Sequence, residues 1–161
     1  QKINARIDWN INPKYLIFSN SVALEQILLN ICINGLESMQ YTSIDERILI
    51  LSSIEVEKNN KKYLQISVSD NGCGIDSSEK SDIFDPFTSY KKNGTGLGLS
   101  LCKSLAEKCQ MEIDFHDNKN QGTTFKLLVP ASPQQVYPSQ QILNSNTMDF
   151  VQNSKMSVVG K

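Results

Sequence analysis

Histidine is almost missing from this chain of 161 residues: His116 is the only one, and four cysteines are scattered at positions 32, 73, 102 and 109. None of the cysteines has the short spacing of a metal knuckle, and one imidazole adds little to a ligand set, so the composition argues against zinc. The expected state of the thiols is reduced and buried, as in a cytoplasmic protein. An excess of charge of either sign is also missing, since 16 basic and 17 acidic side chains leave a net charge of −1. That balance argues against binding nucleic acid or an anionic membrane, both of which call for a basic face. It leaves room for a nucleotide, whose phosphates need only a local cluster of donors. No apolar run approaches the ~18 residues of a membrane span. The opening QKINARIDWN lacks the pattern of a secretory leader. A membrane segment elsewhere in a longer parent stays open.

What is present suits one domain with a tail. Hydrophobic residues make up 39% of the chain, enough for a packed core, and domains cluster near ~100–150 residues. Residues 3–9 alternate loosely, as an edge strand does, and Asn12-Pro13 reads as a turn. Ser19 to Ser21 offer caps for a helix running to about Met39. Leu24, Ile27, Leu28, Ile31 and Leu36 give that helix an apolar stripe, while Asn30, Asn34 and Glu37 share a different face. Two asparagines on consecutive turns of a core helix call for a use of their amides. Residues 48–57 and 62–70 read as strands of a hairpin joined by the polar turn KNNK. Asp76 to Glu79 carry a capping-box pattern for a short helix ending near Ile83. A polar, glycine-rich loop (85–96) then leads into a helix from Gly98 to about Cys109. Residues 111–116 and 123–130 supply two more strands. Beyond Pro130, Gln, Asn, Ser and Pro dominate without a sustained period, so 131–161 reads as a loosely attached tail.

Three features carry chemistry. Asp70-Asn-Gly-Cys-Gly74 sets a carboxylate at a strand end before two glycines. The carboxylate can accept from the exocyclic amino group of adenine, and the open turn lets the ring approach the main chain. Guanine has no donor at that ring position. Gly94-Thr-Gly-Leu-Gly98 is neither a Walker nor a Rossmann motif. It opens a helix, where unpaired N–H groups and the positive helix end suit phosphates. Asn34 offers a neutral oxygen for Mg²⁺, which commonly takes one or two protein ligands and completes its shell with water and phosphate oxygens. Each feature alone also fits an ordinary turn, hinge or surface residue.

Taken in order, these segments resemble the catalytic domain of sensor histidine kinases, within the superfamily that includes gyrase, Hsp90 and MutL ATPases, and most of all the nitrogen-regulatory sensor kinases. The asparagine motif is LEQILLNICINGLESM (24–39), the adenine motif DNGCGI (70–75) and the phenylalanine motif IFDPFTSY (83–90). The lid glycines lie in NGTGLGLS (93–100) and the last glycine motif is QGTTF (121–125). The resemblance covers roughly residues 1–130.

The resemblance implies a two-layer α/β sandwich of the Bergerat ATP-binding type, a mixed sheet with helices on one face. It implies ATP and Mg²⁺ as ligands, with Asn34 at the metal and Asn30 beside the phosphates. Asp70, Gly72, Gly74 and Ile75 would form the adenine side, with Thr123 or Thr124 supporting it. Phe84 and Phe87 fall at the aromatic positions. Gly94, Thr95, Gly96, Leu97, Gly98 and Leu99 would form the lid, and Lys91 would meet the terminal phosphates. Asn30, Asn34 and Lys91 would be the catalytic side chains. The implied reaction moves the γ-phosphoryl group to a histidine on a separate dimerisation and phosphoacceptor domain, from which a response regulator receives it. The domain itself is expected to be monomeric, cytoplasmic and without direct membrane contact. His116, in a strand pattern, is not the expected acceptor. Position 35 is Gly where the family usually has Ala, and Ser89-Tyr90 replaces the usual Thr-Thr. Two rivals remain. A gyrase- or MutL-type ATPase would carry a water-activating glutamate where this chain has Asn30. A non-catalytic nucleotide-binding module would need no such group.

Overall fold

The computed structural model describes residues 5–11, 19–89 and 94–131. The Asn12-Pro13 turn, Lys91 and the tail from residue 132 lie outside them. The elements are β1 (Arg6–Asn10), α1 (Ser21–Ser38), a 3-10 turn (Ile44–Glu46), β2 (Ile48–Lys58), β3 (Lys61–Asp70), α2 (Gly98–Lys108), β4 (Glu112–Asp117) and β5 (Thr123–Pro130). No described helix is long and apolar enough to cross a membrane.

Helix α1 starts where Asn20 accepts the Ala23 N–H on its side chain at 3.0 Å, satisfying one of the orphan donors of the first turn. Ala23, Ile27, Ile31 and Gly35 recur every four residues and form its buried line. Leu24, Leu28 and Leu36 flank that line, partly buried. Full burial of a side chain such as Ile27 or Ile31 contributes roughly 1.5–3 kcal/mol.

β2 and β3 form the expected hairpin. Asn59 and Asn60 both adopt positive φ, 52° and 59°, and a two-residue turn of that kind matches the twist of the paired strands. The sheet order is β1-β2-β3-β5-β4, with β1 parallel to β2 and the remaining pairs antiparallel. Register puts Leu49 opposite Asp70, Leu51 opposite Val68, and Ser53 opposite Ile66. Val68 meets Phe125, Ile66 meets Leu127, and Leu64 meets Val129. This face carries the core beneath α1 and α2, while Ile50, Ser52, Ile54, Gln65, Ser67 and Lys126 have the opposite parity. The architecture is the mixed-sheet sandwich that the motifs implied. At its edge, Phe84 and Phe115 meet edge-on with ring centroids 6.0 Å apart, and the Lys103 ammonium stands 5.7 Å from the Phe84 centroid.

Two expectations are corrected. Residues 76–83 form consecutive turns instead of a short helix. Asp76 Oδ1 accepts both the Ser78 N–H at 2.9 Å and the Ser78 hydroxyl at 2.6 Å, a local alternative to helical bonding. The same two bonds hold the Asp76 carboxyl below its usual range. The N–H groups of Glu79, Asp82 and Asp85 then each bond three residues back. The thiols are also not uniformly buried. Burial pushes Cys32 up to about 11, and Cys102 is fully enclosed, but Cys73 is exposed.

Candidate nucleotide site

Asp70 ends β3 and is 6% exposed. Three donors converge on its Oδ1: the Gly72 N–H at 2.9 Å, the Ser38 hydroxyl at 3.0 Å and the Thr123 N–H at 3.4 Å. The backbone around it is packed too closely for side chains. A Cβ on Gly72 would stand 2.6 Å from the Ser38 carbonyl carbon, and one on Gly122 would stand 2.7 Å from the Asp70 carbonyl carbon. Gly122 also has φ +96° and Gly74 has φ +78°, and the two glycines face each other. Such φ values are open to glycine and strained for most other residues. At Gly35 a Cβ would meet Leu49 Cδ1 at 2.8 Å. An Ala at this position would therefore require the Leu49 side chain to shift. Ile75 packs against the edge of the core.

Asn30 and Asn34 lie on α1, both partly buried and one turn apart. Asn30 Oδ1 accepts from Gln26 Nε2 at 3.4 Å. Burial raises the Cys102 thiol, and a hydrogen bond with the Asn30 side chain partly offsets that effect. Cys102 is one turn into α2, so Asn30 sits beside the start of that helix. Asn34 lies one turn further along α1, and Ser38, the donor to Asp70, one turn beyond that. The three residues form a polar line from the mouth of α2 to the Asp70 corner.

Helix α2 begins after Leu97, and among the described residues no side-chain cap bond serves its start. A Cβ on Gly98 would meet nothing within 4 Å. Among the described residues, space is therefore open beside Gly98 at the positive end of the helix, an arrangement that suits an anionic group. Gly94, Thr95 and Leu97 are exposed, and Leu99 packs against the core. Gly96, with φ +69°, presses its backbone against Thr88 N at 2.7 Å from a would-be Cβ. The Phe87 N–H bonds to the Gly96 carbonyl at 3.0 Å. This tie holds together the two sides of the segment that contains Lys91. No group of three or more His, Cys, Asp or Glu that could hold a metal occurs among the described residues. Asn34 offers a neutral amide oxygen, a donor type that Mg²⁺ accepts alongside phosphate.

The two phenylalanines part ways. Phe84 belongs to the aromatic cluster with Phe115, while Phe87 is 79% exposed with φ 65°. The two threonines part as well. Thr123 is buried on the Asp70 side, whereas Thr124 pairs with Ser69 on the opposite face. There its hydroxyl joins Ser69 Oγ at 2.8 Å and donates to Asn118 Oδ1 at 2.6 Å. His116 pairs across from Thr124 and is exposed.

Ser38, Asn71, Asn118 and Gly122 hold the site together without having been assigned to it. Asn71 Oδ1 accepts the Ile48 N–H at 2.9 Å and its Nδ2 donates to the Glu46 carbonyl at 2.6 Å. Asn118 Nδ2 donates to the Asp70 carbonyl at 2.8 Å. For Ser38 the signal was its spacing of four from Asn34. For Asn71 it was membership of the adenine motif.

The family described as histidine kinase-, DNA gyrase B-, and HSP90-like ATPase matches residues 19–133. The signal transduction histidine-protein kinase AtoS of Escherichia coli (strain K12) is 40% identical over 138 residues, 82% of this chain and 21% of that protein. Sporulation kinase B of Bacillus subtilis (strain 168) is 28% identical over 125 residues, 78% of this chain and 28% of that protein. The chain therefore spans less than a third of either relative. The solved catalytic domain of histidine kinase ThkA superposes with a TM-score of 0.64 at 26% identity, covering 78% of this chain and 79% of that one. The mycobacterial sensor histidine kinase MprB, at 19% identity and a TM-score of 0.66, covers 81% of this chain and 84% of its own and supports the fold. Motif order, sheet topology and the match over residues 19–133 together show that this chain belongs to the histidine kinase-, DNA gyrase B- and HSP90-like ATPase family.

Proposed function

We propose that this chain is the catalytic domain of a two-component sensor histidine kinase, binding Mg-ATP and directing its γ-phosphoryl group to a histidine on a separate helical domain. The observation that carries this reading is the pairing of a donor-fixed buried carboxylate, Asp70, with the uncapped, glycine-opened N-terminus of α2. Asp70 accepts from the adenine amino group, and the N–H groups at the start of α2 receive phosphate oxygens. Asn34 would hold a Mg²⁺ ion, whose charge would offset that of the phosphates, and Lys91 would pair with the terminal phosphate. An imidazole nitrogen of the acceptor attacks the γ-phosphorus in line. The bond to the β–γ bridging oxygen breaks, and ADP leaves. The imidazole is itself the nucleophile, so this domain needs no strong base.

Asn30 fits that chemistry and disfavours the hydrolytic rival, which would use a glutamate there to activate water. The similarity to AtoS, a signal transduction histidine-protein kinase, and to sporulation kinase B supports the kinase reading. The acceptor domain, the response regulator beyond it and a cytoplasmic site belong to the same proposal. Incubation with γ-labelled ATP and the parent's phosphoacceptor domain tests it. Label on the acceptor is the expected result. Release of labelled inorganic phosphate without acceptor labelling supports the ATPase, and retention of intact ATP supports the binding module.

A further inference from the structure

Ser38 is placed to do more than end a helix. Its hydroxyl lies 3.0 Å from Asp70 Oδ1 and 2.8 Å from the Gly35 carbonyl. A single proton serves both, and the charged acceptor holds it more strongly. The Ser38 carbonyl in turn accepts the Cys73 N–H at 3.2 Å. Gly72 lies flat against the residue, since a Cβ there would meet Ser38 Cβ at 2.7 Å. Ser38 thus grips the adenine-motif loop through its backbone and the carboxylate through its side chain.

The two carboxylate oxygens have different surroundings. Oδ1 takes the Ser38 hydroxyl and the Gly72 and Thr123 N–H groups. Oδ2 lies toward Gly35, 3.6 Å from where a Cβ would stand. Backbone donors alone leave the carboxylate free to rock about its χ2 axis, a broad torsion. A third donor from a different element fixes the plane. Ser38 also lines an open polar cavity of about 250 Å³, shared with Tyr41, Glu46, Cys73 and Gln121.

We propose that Ser38 is a positioning residue for base recognition: its hydroxyl sets the plane of the Asp70 carboxylate before adenine arrives. The inference rests on the reading of Asp70 as the adenine acceptor. Prior fixation of a recognition group spares its ordering on binding, and the advantage applies only to a ligand that uses that group.

The test uses the full chain and two ligands, ATP and purine riboside triphosphate, which lacks the 6-amino group. Ser38→Ala weakens ATP by about fivefold to tenfold, the scale of one hydrogen bond. It leaves purine riboside triphosphate within about twofold. The ratio of the two affinities within one preparation cancels any loss of folded protein. Equal losses for both ligands, or no loss for either, overturn the proposal. Asp70→Asn in the same series separates the two levels. If Asp70→Asn leaves the preference for the 6-amino group intact, the adenine reading falls and this inference with it. If Asp70→Asn abolishes the preference while Ser38→Ala does not, the positioning role alone falls.

Discussion

The two ends of the polar line on α1 are built on opposite plans. At the Asp70 end, the glycines are small because the protein fills the space: Ser38 stands against Gly72, and Asp70 against Gly122. The carboxylate there already has three donors. At the α2 end, Gly98 borders open space and the helix start has no capping side chain. One end is finished by the fold, and the other stays open. A base is a flat group of constant shape, and a preformed corner can discriminate it. Phosphates change number and position during transfer, and backbone donors with room before them can follow that change.

The largest expected effect comes from breaking the closed end. Gly122→Ala places a methyl against the Asp70 carbonyl at φ +96°. Backbone strain and overpacking each cost about 1–3 kcal/mol, so a stability loss of roughly 2–4 kcal/mol follows if the site relaxes in part. Urea unfolding measures it. A loss well under 1 kcal/mol would show that the corner yields easily and that the contrast between the two ends is wrong.

Asp70→Asn probes the same end by chemistry instead of shape. The amide oxygen can still accept from Ser38, Gly72 and Thr123, so thermal unfolding of the nucleotide-free chain should stay within a few degrees of the parent. The amide nitrogen, however, presents a donor where adenine also presents one. A charge-assisted bond is worth about 1.5–3 kcal/mol, so ATP binding should fall by roughly tenfold to a hundredfold. The preference for ATP over GTP should narrow as well. Calorimetric titration of both nucleotides decides this, and unchanged affinities would make Asp70 a turn residue only.

Much of the frame could be read from local pattern. The stripe at Ile27 and Ile31, the Asn59-Asn60 turn and the alternation in β2, β3 and β5 are all consequences of short-range periodicity. The motif residues Asp70, Asn34 and Gly98 were legible because their chemistry and order were unusual together. What escaped depends on register and packing. Thr123 and Thr124 are equivalent in sequence, and only pairing with β3 shows which one shares a face with Asp70. Ser38 looks like any polar residue at a helix end until Gly72 and Asp70 close on it. At 76–83 the capping pattern pointed to a short helix, but the Asp76–Ser78 bonds favoured turns.

Asn34→Ala tests the middle of the line with a smaller expected effect. Removing one neutral ligand from an ion that keeps several waters should cost Mg-ATP about fivefold to tenfold in affinity. Binding of ATP with the metal chelated should change little. Alanine suits a helix interior better than asparagine does, so the fold should hold. Equal losses with and without Mg²⁺ would assign Asn34 to the phosphates or to packing.

The smallest effect is also the one that sharpens the comparison most. Gly98 carries no positive φ and its would-be Cβ meets nothing, so Gly98→Ala should stabilise the nucleotide-free chain. The gain should be below the roughly 1 kcal/mol of a mid-helix Gly→Ala change, because the position is in the first turn. The added methyl intrudes on the space that the phosphates would occupy. ATP affinity should therefore fall by about threefold to fivefold, while adenosine, which carries no phosphate, should bind as before. Stability and affinity move in opposite directions in this variant, whereas Gly122→Ala loses stability. Thermal melts and parallel titrations with ATP and adenosine measure the pair. If ATP binds Gly98→Ala as tightly as it binds the parent, the open space before α2 does not receive the phosphates, and the anionic end of the nucleotide lies elsewhere.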